Sequence, residues 1–418
     1  MTTEYTCFDT IIGPTYHYGG LALGNTHSLE HKHVVSNPKK AALQGLAKMK
    51  LVSDHGVSQY VLPTYSRDYK GLIQGYYNNQ GNFKDNLKRL YDENLDVFSS
   101  FFSASSAWLA NAWTMTPSCD SYDKRYHVTP ASLKACFHRS LDVVQTGRFL
   151  RQVFDFNQGG CLHDPLITLD EGAANMIRLS DKNQGLYLFV SGSEDSQRFS
   201  ARHEFRSWQM VVKSHQLNPD YVLYLTQHPQ AIDAGVFHND VIAFGLDDLL
   251  VVHEYAFLDQ QNQLQKILDR YQQLFKQSLK IIEVPNIILS LDDAVESYFF
   301  NSQLIRKTDG SYLLIVPSRC KEHGVMDYFK TQLGLMFNKD LVIAFCNVDE
   351  SIKNGGGPAC LRNFVEWDSS RLAKINPEFL LTKQRYDIIT NQIEKYYPNE
   401  LKLSDFLSVD VENYFRYI

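Results

Sequence analysis

This chain of 418 residues lacks any long apolar run. Leu313-Leu-Ile-Val316 and Leu341-Val-Ile-Ala-Phe-Cys346 are among its apolar stretches, far shorter than the ~18 residues of a membrane span. The N-terminal MTTEYTCFDT has no basic region followed by an apolar run, so no signal peptide is expected. Cysteine is sparse and unorganised. The seven thiols stand at 7, 119, 136, 161, 320, 346 and 360, with no C-x-x-C pair. An odd set without that spacing speaks against a disulfide framework or a zinc knuckle and for reduced thiols. Excess positive charge is missing too. Lys plus Arg is 41 against 47 Asp plus Glu, a net charge of −6, so no nucleic-acid partner is expected. There is no low-complexity tract and no linker rich in Pro, Gly and Ser. The expectation is a soluble, cytoplasmic chain with no membrane partner.

Hydrophobic residues make up 44% and charged residues 21%, a balance that can bury a core. The length exceeds the ~250–300 residues at which one core usually stops growing. Two domains, or one domain of repeated units, are both open. Asn37-Pro38 reads as an N-cap and first helical residue. The stripe Ala42, Leu43, Leu46, Met49, Leu51 and Val52 then carries a helix to near Gly56. Thr129-Pro130 predicts a second helix through Leu133, Ala135, Phe137 and Leu141. A third covers about 200–217 and a fourth about Gln260 to Gln277. Compact runs rich in Val, Ile and aromatics at 186–190, 221–225, 241–244, 249–252, 281–284, 312–316 and 341–345 read as buried strands. Gly245-Leu-Asp-Asp248 reads as a hairpin turn. Alternating helices and strands give an α/β class. No internal repeat is visible.

Asn354-Gly-Gly-Gly-Pro-Ala-Cys360 is the sharpest motif. Three consecutive glycines are costly in backbone entropy, so close approach to a ligand, with N–H groups presented to it, is one reading. A surface turn beside an ordinary buried cysteine is the other. No phosphate loop is expected, because no Gly-Lys-Ser/Thr follows. The alternating Leu361-Arg-Asn-Phe-Val-Glu-Trp367 puts Cys360 at a loop–strand junction. In Gly235-Val-Phe-His-Asn-Asp240, His238 and Asp240 would share one side of an extended backbone; a solvated hairpin is the alternative. Asp170-Glu171-Gly-Ala-Ala-Asn175 is either an acid packed closely at a site or a helix N-terminus with acids favoured by the dipole. Arg139, in the predicted helix at Phe137-His-Arg-Ser140, and Arg202 could clamp carboxylates or simply be solvated. His27, His31 and His33 match no standard zinc spacing and read as scattered surface histidines.

These motifs, with Gly13, His17-Tyr18, Gly24-Asn25, Val35-Ser-Asn-Pro38, Ala110-Asn-Ala112 and Phe300-Asn-Ser-Gln-Leu304 in the same order, give the chain a close resemblance to the N-succinylarginine dihydrolases. That family belongs to the guanidine-modifying (amidinotransferase, or pentein) superfamily. The resemblance runs nearly the full length. It implies a pentein α/β propeller of five ββαβ-type units around a pseudo-fivefold axis, one catalytic domain spanning 1–418. It assigns the nucleophile to Cys360, the general acid–base to His238 and the third catalytic member to Glu171. Substrate contacts carry over to the loop Gly19, Gly20, Leu21, Ala22, Leu23, Gly24, Asn25, Thr26, His27 and Ser28. They also carry over to Asn111, His138, Arg139, Arg202, Asp240 and Asn354. The implied reaction turns N2-succinylarginine and two waters into N2-succinylornithine, two ammonia and carbon dioxide, within arginine catabolism. No metal or cofactor is implied. A homodimer is.

Residue chemistry agrees with this. A guanidinium is charged and its carbon is a poor electrophile. Carboxylates such as Glu171 and Asp240 would hold it, leaving one face to a thiolate. Arg139 and Arg202 are the cations for a substrate carrying two carboxylates. Three rivals remain: a single-step guanidine hydrolase such as an arginine deiminase or dimethylarginine hydrolase, a catalytically silent binding protein on the same fold, and a papain-type hydrolase. The last would carry its cysteine on a helix N-terminus.

Overall fold

A computed structural model describes residues 3–64, 67–337, 339–368 and 375–408. Its described strands are β1 (Thr3–Thr10), β2 (Ser58–Leu62), β3 (Trp113–Thr116), β4 (Tyr126–Pro130), β5 (Gly160–Leu162), β6 (Met176–Ser180), β7 (Gly185–Ser191), β8 (Val222–Thr226), β9 (Ala243–Leu246), β10 (Leu249–His253), β11 (Lys280–Val284), β12 (Gln303–Arg306), β13 (Tyr312–Pro317), β14 (Leu341–Cys346) and β15 (Arg362–Asp368). They form five three-stranded sheets. In each, the middle strand runs antiparallel to one neighbour and parallel to the other.

Parallel neighbours require a crossover, and a helix supplies it every time. Pro38–Asp54 links β1 to β2, Val143–Val153 links β4 to β5, Phe205–Ser214 links β7 to β8, Gln260–Phe275 links β10 to β11, and Gly324–Met336 links β13 to β14. The repeat hidden in the sequence is therefore one of structure. The first sheet takes its antiparallel strand from the far end of the chain, with Thr6 opposite Val365.

Most predicted elements stand close to where periodicity puts them. Asn37 caps the first helix through its side chain, which accepts from the Lys40 N–H at 2.8 Å, and Ala42, Leu46, Met49 and Val52 are buried. The hairpin of β9 and β10 forms around Asp247-Asp248. The helix expected to open at Thr129-Pro130 does not. Those residues end β4, where Thr129 and Pro130 pair with Thr114 and Trp113, and the apolar residues beyond fill a loop and the single turn Phe137–Ser140. Proline suits a strand end as well as a helix start, so the signal was ambiguous. The run at 341–345 forms a strand, but only a partly covered one: Val342 is 43% exposed. Periodicity does not reveal β1–β6 and β12, or the helices Tyr69–Tyr76, Phe83–Glu93, Leu95–Phe102, Val143–Val153, Gly324–Met336 and Lys383–Tyr396. Among the described residues no helix is long and apolar enough to cross a membrane.

Five buried charges join the five sheets. Arg178 on β6 binds Asp120, from the β3–β4 connection, at 2.7 Å and also binds Glu366 on β15. Arg306 on β12 binds Glu366 at 2.6 Å and Asp247, between β9 and β10, at 2.7 Å. Tyr312 donates at 2.7 Å to the Asp247 oxygen that Arg306 leaves over, and Tyr187 donates at 2.5 Å to an Asp120 oxygen that Arg178 also binds. Removing one cation strands buried carboxylates, at a cost of several kcal/mol. Arg306→Ala is therefore expected to lose about 3–5 kcal/mol of unfolding free energy, read from urea denaturation; a loss below about 1 kcal/mol would mean the cluster is not a joint.

Candidate active site

The five sheets also share a local device at one end. A short turn leads the chain into β3, β6, β9 and β12: Leu109–Asn111, Gly172–Asn175, Asn239–Val241 and Phe299–Asn301. Cys360 stands just ahead of β15. These approaches carry Asn111, Glu171, His238, Asn301 and Cys360, all buried, and the half-buried Asp240.

The contacts between them are specific. His238 Nε2 lies 2.8 Å from Glu171 Oε2, which also accepts from Asn111 Nδ2 at 3.2 Å. Cys360 Sγ lies 3.7 Å from Asp240 Oδ2 and receives Asn301 Nδ2 at 3.2 Å. The Ala110 N–H donates to the Cys360 carbonyl at 3.1 Å, closing the ring. Gly172, with φ +59°, makes the approach of Glu171 to Asn111 possible, because a Cβ there would sit 2.9 Å from the Asn111 backbone.

The three glycines before Cys360 have separate causes. Gly355 has φ +85°, and a Cβ on it would fall 1.7 Å from Asn25 Nδ2. A Cβ on Gly356 would meet Trp108 Nε1 at 1.7 Å, and one on Gly357 would meet Asn301 Oδ1 at 2.6 Å. Close packing against side chains, rather than a bare N–H cradle, demands them. Asn25 uses the space: its Nδ2 donates to the Gly355 carbonyl at 3.0 Å while its Oδ1 caps the helix Thr26–Glu30.

Asn111, Glu171, His238, Asp240 and Cys360 face a cavity of about 60 Å³. Of the residues proposed from sequence it brings together Cys360, His238, Glu171, Asn111, His138, Arg139, Arg202, Asp240 and Asn354, with Gly19, Gly20, Leu21, Ala22, Asn25 and Ser28 of the loop. Leu23, Gly24, Thr26 and His27 do not line it. Leu23 is 73% exposed and holds Arg202 through its carbonyl. His27 is buried beside the Val295 carbonyl and Glu296, so it is no surface histidine. His138 and Arg139 are likewise buried rather than solvated, with Arg139 donating to the Trp108 carbonyl at 3.1 Å. Asp240 sits in a turn, not an extended strand, yet faces the same cavity as His238. His17, Trp108, Cys136 and Phe237 also line it, and nothing in the sequence marks them as site residues; Gly355 of the glycine run lines it too. The group Asp123, His127 and Cys161, whose ligand-type atoms lie within 4.8 Å of one another, is outside this lining.

Charge follows burial and neighbours. Burial works to raise the Glu171 carboxyl, but the hydrogen bond and attraction of His238, with Arg202 and Arg139 behind, hold it down to about 2. Burial, and then the Asp240 carboxylate, push the Cys360 thiol well above its ordinary range. Burial raises Asp240 as well. Among the described residues Glu171 Oε1, Asp240 Oδ1, Asn111 Oδ1 and Arg139 Nε are buried without a hydrogen-bond partner. Three orphaned acceptors and a donor in one cavity match a ligand that is cationic at one place and anionic at another.

A family profile for succinylarginine dihydrolase matches residues 2–414. The chain belongs to the succinylarginine dihydrolase family. It is 37% identical over 415 residues to an N-succinylarginine dihydrolase of Pseudoalteromonas translucida, covering 96% of this chain and 91% of that one. With the N-succinylarginine dihydrolase of Photorhabdus laumondii the identity is 39% over 417 residues, covering 95% and 92%. Among solved structures the fold resembles the product-bound N-terminal domain of ArgZ, an arginine dihydrolase of cyanobacteria. The TM-score is 0.55 at 12% identity, covering 86% of this chain and 97% of that domain. Unliganded AgrE gives a TM-score of 0.56 at 14% identity, covering 91% and 41%. Family membership agrees with the resemblance carried by the motifs around Cys360, His238 and Glu171.

In this member of the succinylarginine dihydrolase family Asp170, beside Glu171, is also under strain of charge. Burial raises its carboxyl to about 7, with Oδ1 accepting from the Gly172 N–H at 3.0 Å. The folded state then holds the Asp170 proton more tightly than the unfolded chain, so its contribution to stability falls as pH rises from about 4 to 7. Asp170→Asn keeps the acceptor and removes the charge. Its urea midpoint should gain on the parent between pH 5 and pH 8; an unchanged difference would show that Asp170 does not titrate in that window.

Proposed function

We propose that this enzyme hydrolyses N2-succinyl-L-arginine to N2-succinyl-L-ornithine, two ammonia and carbon dioxide, with Cys360 as nucleophile, His238 as general acid–base and Glu171 as its partner. The observation that carries the proposal is the joint presence, in one cavity, of a buried thiol, a His–carboxylate pair at 2.8 Å and unpartnered acceptors on both Glu171 and Asp240.

The guanidinium sits between the Glu171 and Asp240 carboxylates, which take its N–H groups and fix its plane. Asn111 Oδ1 is a third acceptor. Arg139, Arg202 and His138, with Asn354 and the loop 19–28, receive the two carboxylates and the amide. Arg202 is pre-set for this, its guanidinium 5.0 Å over the Phe237 ring and tied to the Leu23 carbonyl. Empty, the site keeps Cys360 protonated. The arriving cation offsets the Asp240 charge and favours the thiolate. Sulfur attacks the guanidinium carbon. His238 protonates the departing nitrogen, and ammonia leaves. Glu171 already holds Nε2, which leaves Nδ1 as the ring nitrogen free to move protons. Water, deprotonated by His238, then attacks the carbon and expels the thiolate. The ureido product stays and passes through the same steps, releasing a second ammonia and a carbamic acid that breaks down to the ornithine amine and carbon dioxide.

The reading takes residues 1–418 as one domain, a propeller of five ββαβ-type units closed around an axis, acting as a cytoplasmic homodimer. Closure is supported by the pairing of β15 with β1 and by the charge cluster to which every sheet contributes.

Cys360→Ala is expected to release no ammonia from N2-succinylarginine above background, while the parent releases two per substrate consumed; one per substrate would reassign it to single-step hydrolysis. Arg202→Ala should raise KM by about 10–100-fold with kcat less affected; an unaltered KM in steady-state assays removes Arg202 from substrate recognition.

A further inference from the structure

Four of the five turns ahead of β3, β6, β9, β12 and β15 carry a residue with an assigned role: Asn111, Glu171, His238 with Asp240, and Cys360. The fifth carries Asn301, which is fully buried and has none. Its carboxamide is spent entirely on the reacting centre. Oδ1 accepts from the Cys360 N–H at 3.1 Å and the Ala359 N–H at 3.0 Å. Nδ2 donates to Cys360 Sγ at 3.2 Å and to the Asp240 carbonyl at 3.1 Å. Two lone pairs and two N–H bonds are thus all used. The two backbone N–H donors settle which side of the amide is oxygen, so a donor must face the sulfur. The Asn301 carbonyl also accepts from the Ala359 N–H at 3.0 Å, binding the two segments a second time.

We propose that Asn301 is a further catalytic residue of the same reaction, holding Cys360 in register with Asp240 and stabilising the thiolate through an N–H···S hydrogen bond. The proposal rests on Cys360 being the nucleophile. Sulfur gains negative charge before each attack and again at each expulsion by water, so a donor aimed at Sγ acts at every sulfur step of both cycles. Little else near the sulfur offers this. Burial and Asp240 oppose the thiolate, while the Asn301 amide and the Gly357 N–H favour it. Because the same amide holds the Asp240 carbonyl, it also fixes the distance between the carboxylate that grips the substrate and the atom that attacks it. Gly357 permits the arrangement, since any Cβ there would press on Asn301 Oδ1 and on the Tyr298 ring.

The test compares Asn301→Asp, Asn301→Ala and Gly357→Ala with the parent. Asn301→Asp keeps acceptors for the two N–H groups and loses the donor to sulfur; Gly357→Ala keeps the asparagine but displaces its amide. Iodoacetamide alkylation of Cys360, followed by peptide mass spectrometry, should show a pH–rate profile displaced upward by about one pH unit or more in Asn301→Asp. Its kcat should fall about 100-fold while KM changes less than about 3-fold. Asn301→Ala should follow the same direction, and Gly357→Ala more weakly. Profiles and kcat within about 2-fold of the parent in folded variants would overturn the proposal. If Cys360→Ala keeps turning over, the nucleophile reading and this one fall together; if it is inactive while Asn301→Asp behaves as the parent, only the role of Asn301 falls.

Discussion

The cluster of Arg178, Arg306, Asp120, Asp247 and Glu366 is the constraint on which the rest of the arrangement depends. Each member comes from a different sheet, and each is buried. A buried charge left without its partner costs several kcal/mol, so any packing that displaces one sheet leaves carboxylates or guanidinium groups stranded. Apolar contacts alone would tolerate sliding between such similar units. The charges do not, because two arginines must reach three carboxylates, which also accept from tyrosine hydroxyls and the Gly185 N–H.

Those charges lie along or beyond the strands β3, β6, β9, β12 and β15, and the reactive side chains lie just ahead of the same strands. One set of strands therefore connects the joint to the chemistry. Strands are stiff, and the turns that precede them are tied down by neighbours: Ala110 to Cys360, Asn239 to Asn175, Asn301 to Asp240. The site is held by backbone and amide hydrogen bonds rather than by long flexible side chains. That suits the proposed reaction, in which one sulfur meets a planar carbon, releases it, and meets it again.

How much of this could be read from sequence depended on what each residue does locally. Cys360, His238 and Glu171 stood in motifs whose composition already asked for an explanation. The five-unit repeat was not legible, because each unit reuses a geometry and not a set of side chains. The strands of the hairpin at Asp247-Asp248 were visible as apolar runs, whereas β3 and β4 carry Thr114, Thr116 and Thr129 among their buried residues and do not look apolar. Thr129-Pro130 misled because proline serves a helix start and a strand end equally. The loop 19–28 reads in sequence as one contact surface, but Leu23 meets Arg202 through its carbonyl and His27 packs beside Val295 and Glu296. Asn301 sits in Phe300-Asn-Ser-Gln-Leu304, where nothing in the residue types announces that its amide meets a cysteine far along the chain.

The pairing of β15 with β1 has a consequence for how the molecule comes into being. On the ribosome β1 emerges early and must wait, one edge unfilled, until nearly all of the chain has been made. The sheet it belongs to is the most non-local in the fold, and such pairings form late. Cys360 lies immediately ahead of the strand that fills that edge, so the thiol reaches its partners only as the first and last parts of the chain meet. A half-made chain carries Glu171 and His238 but neither Cys360 nor the strand that fills that edge.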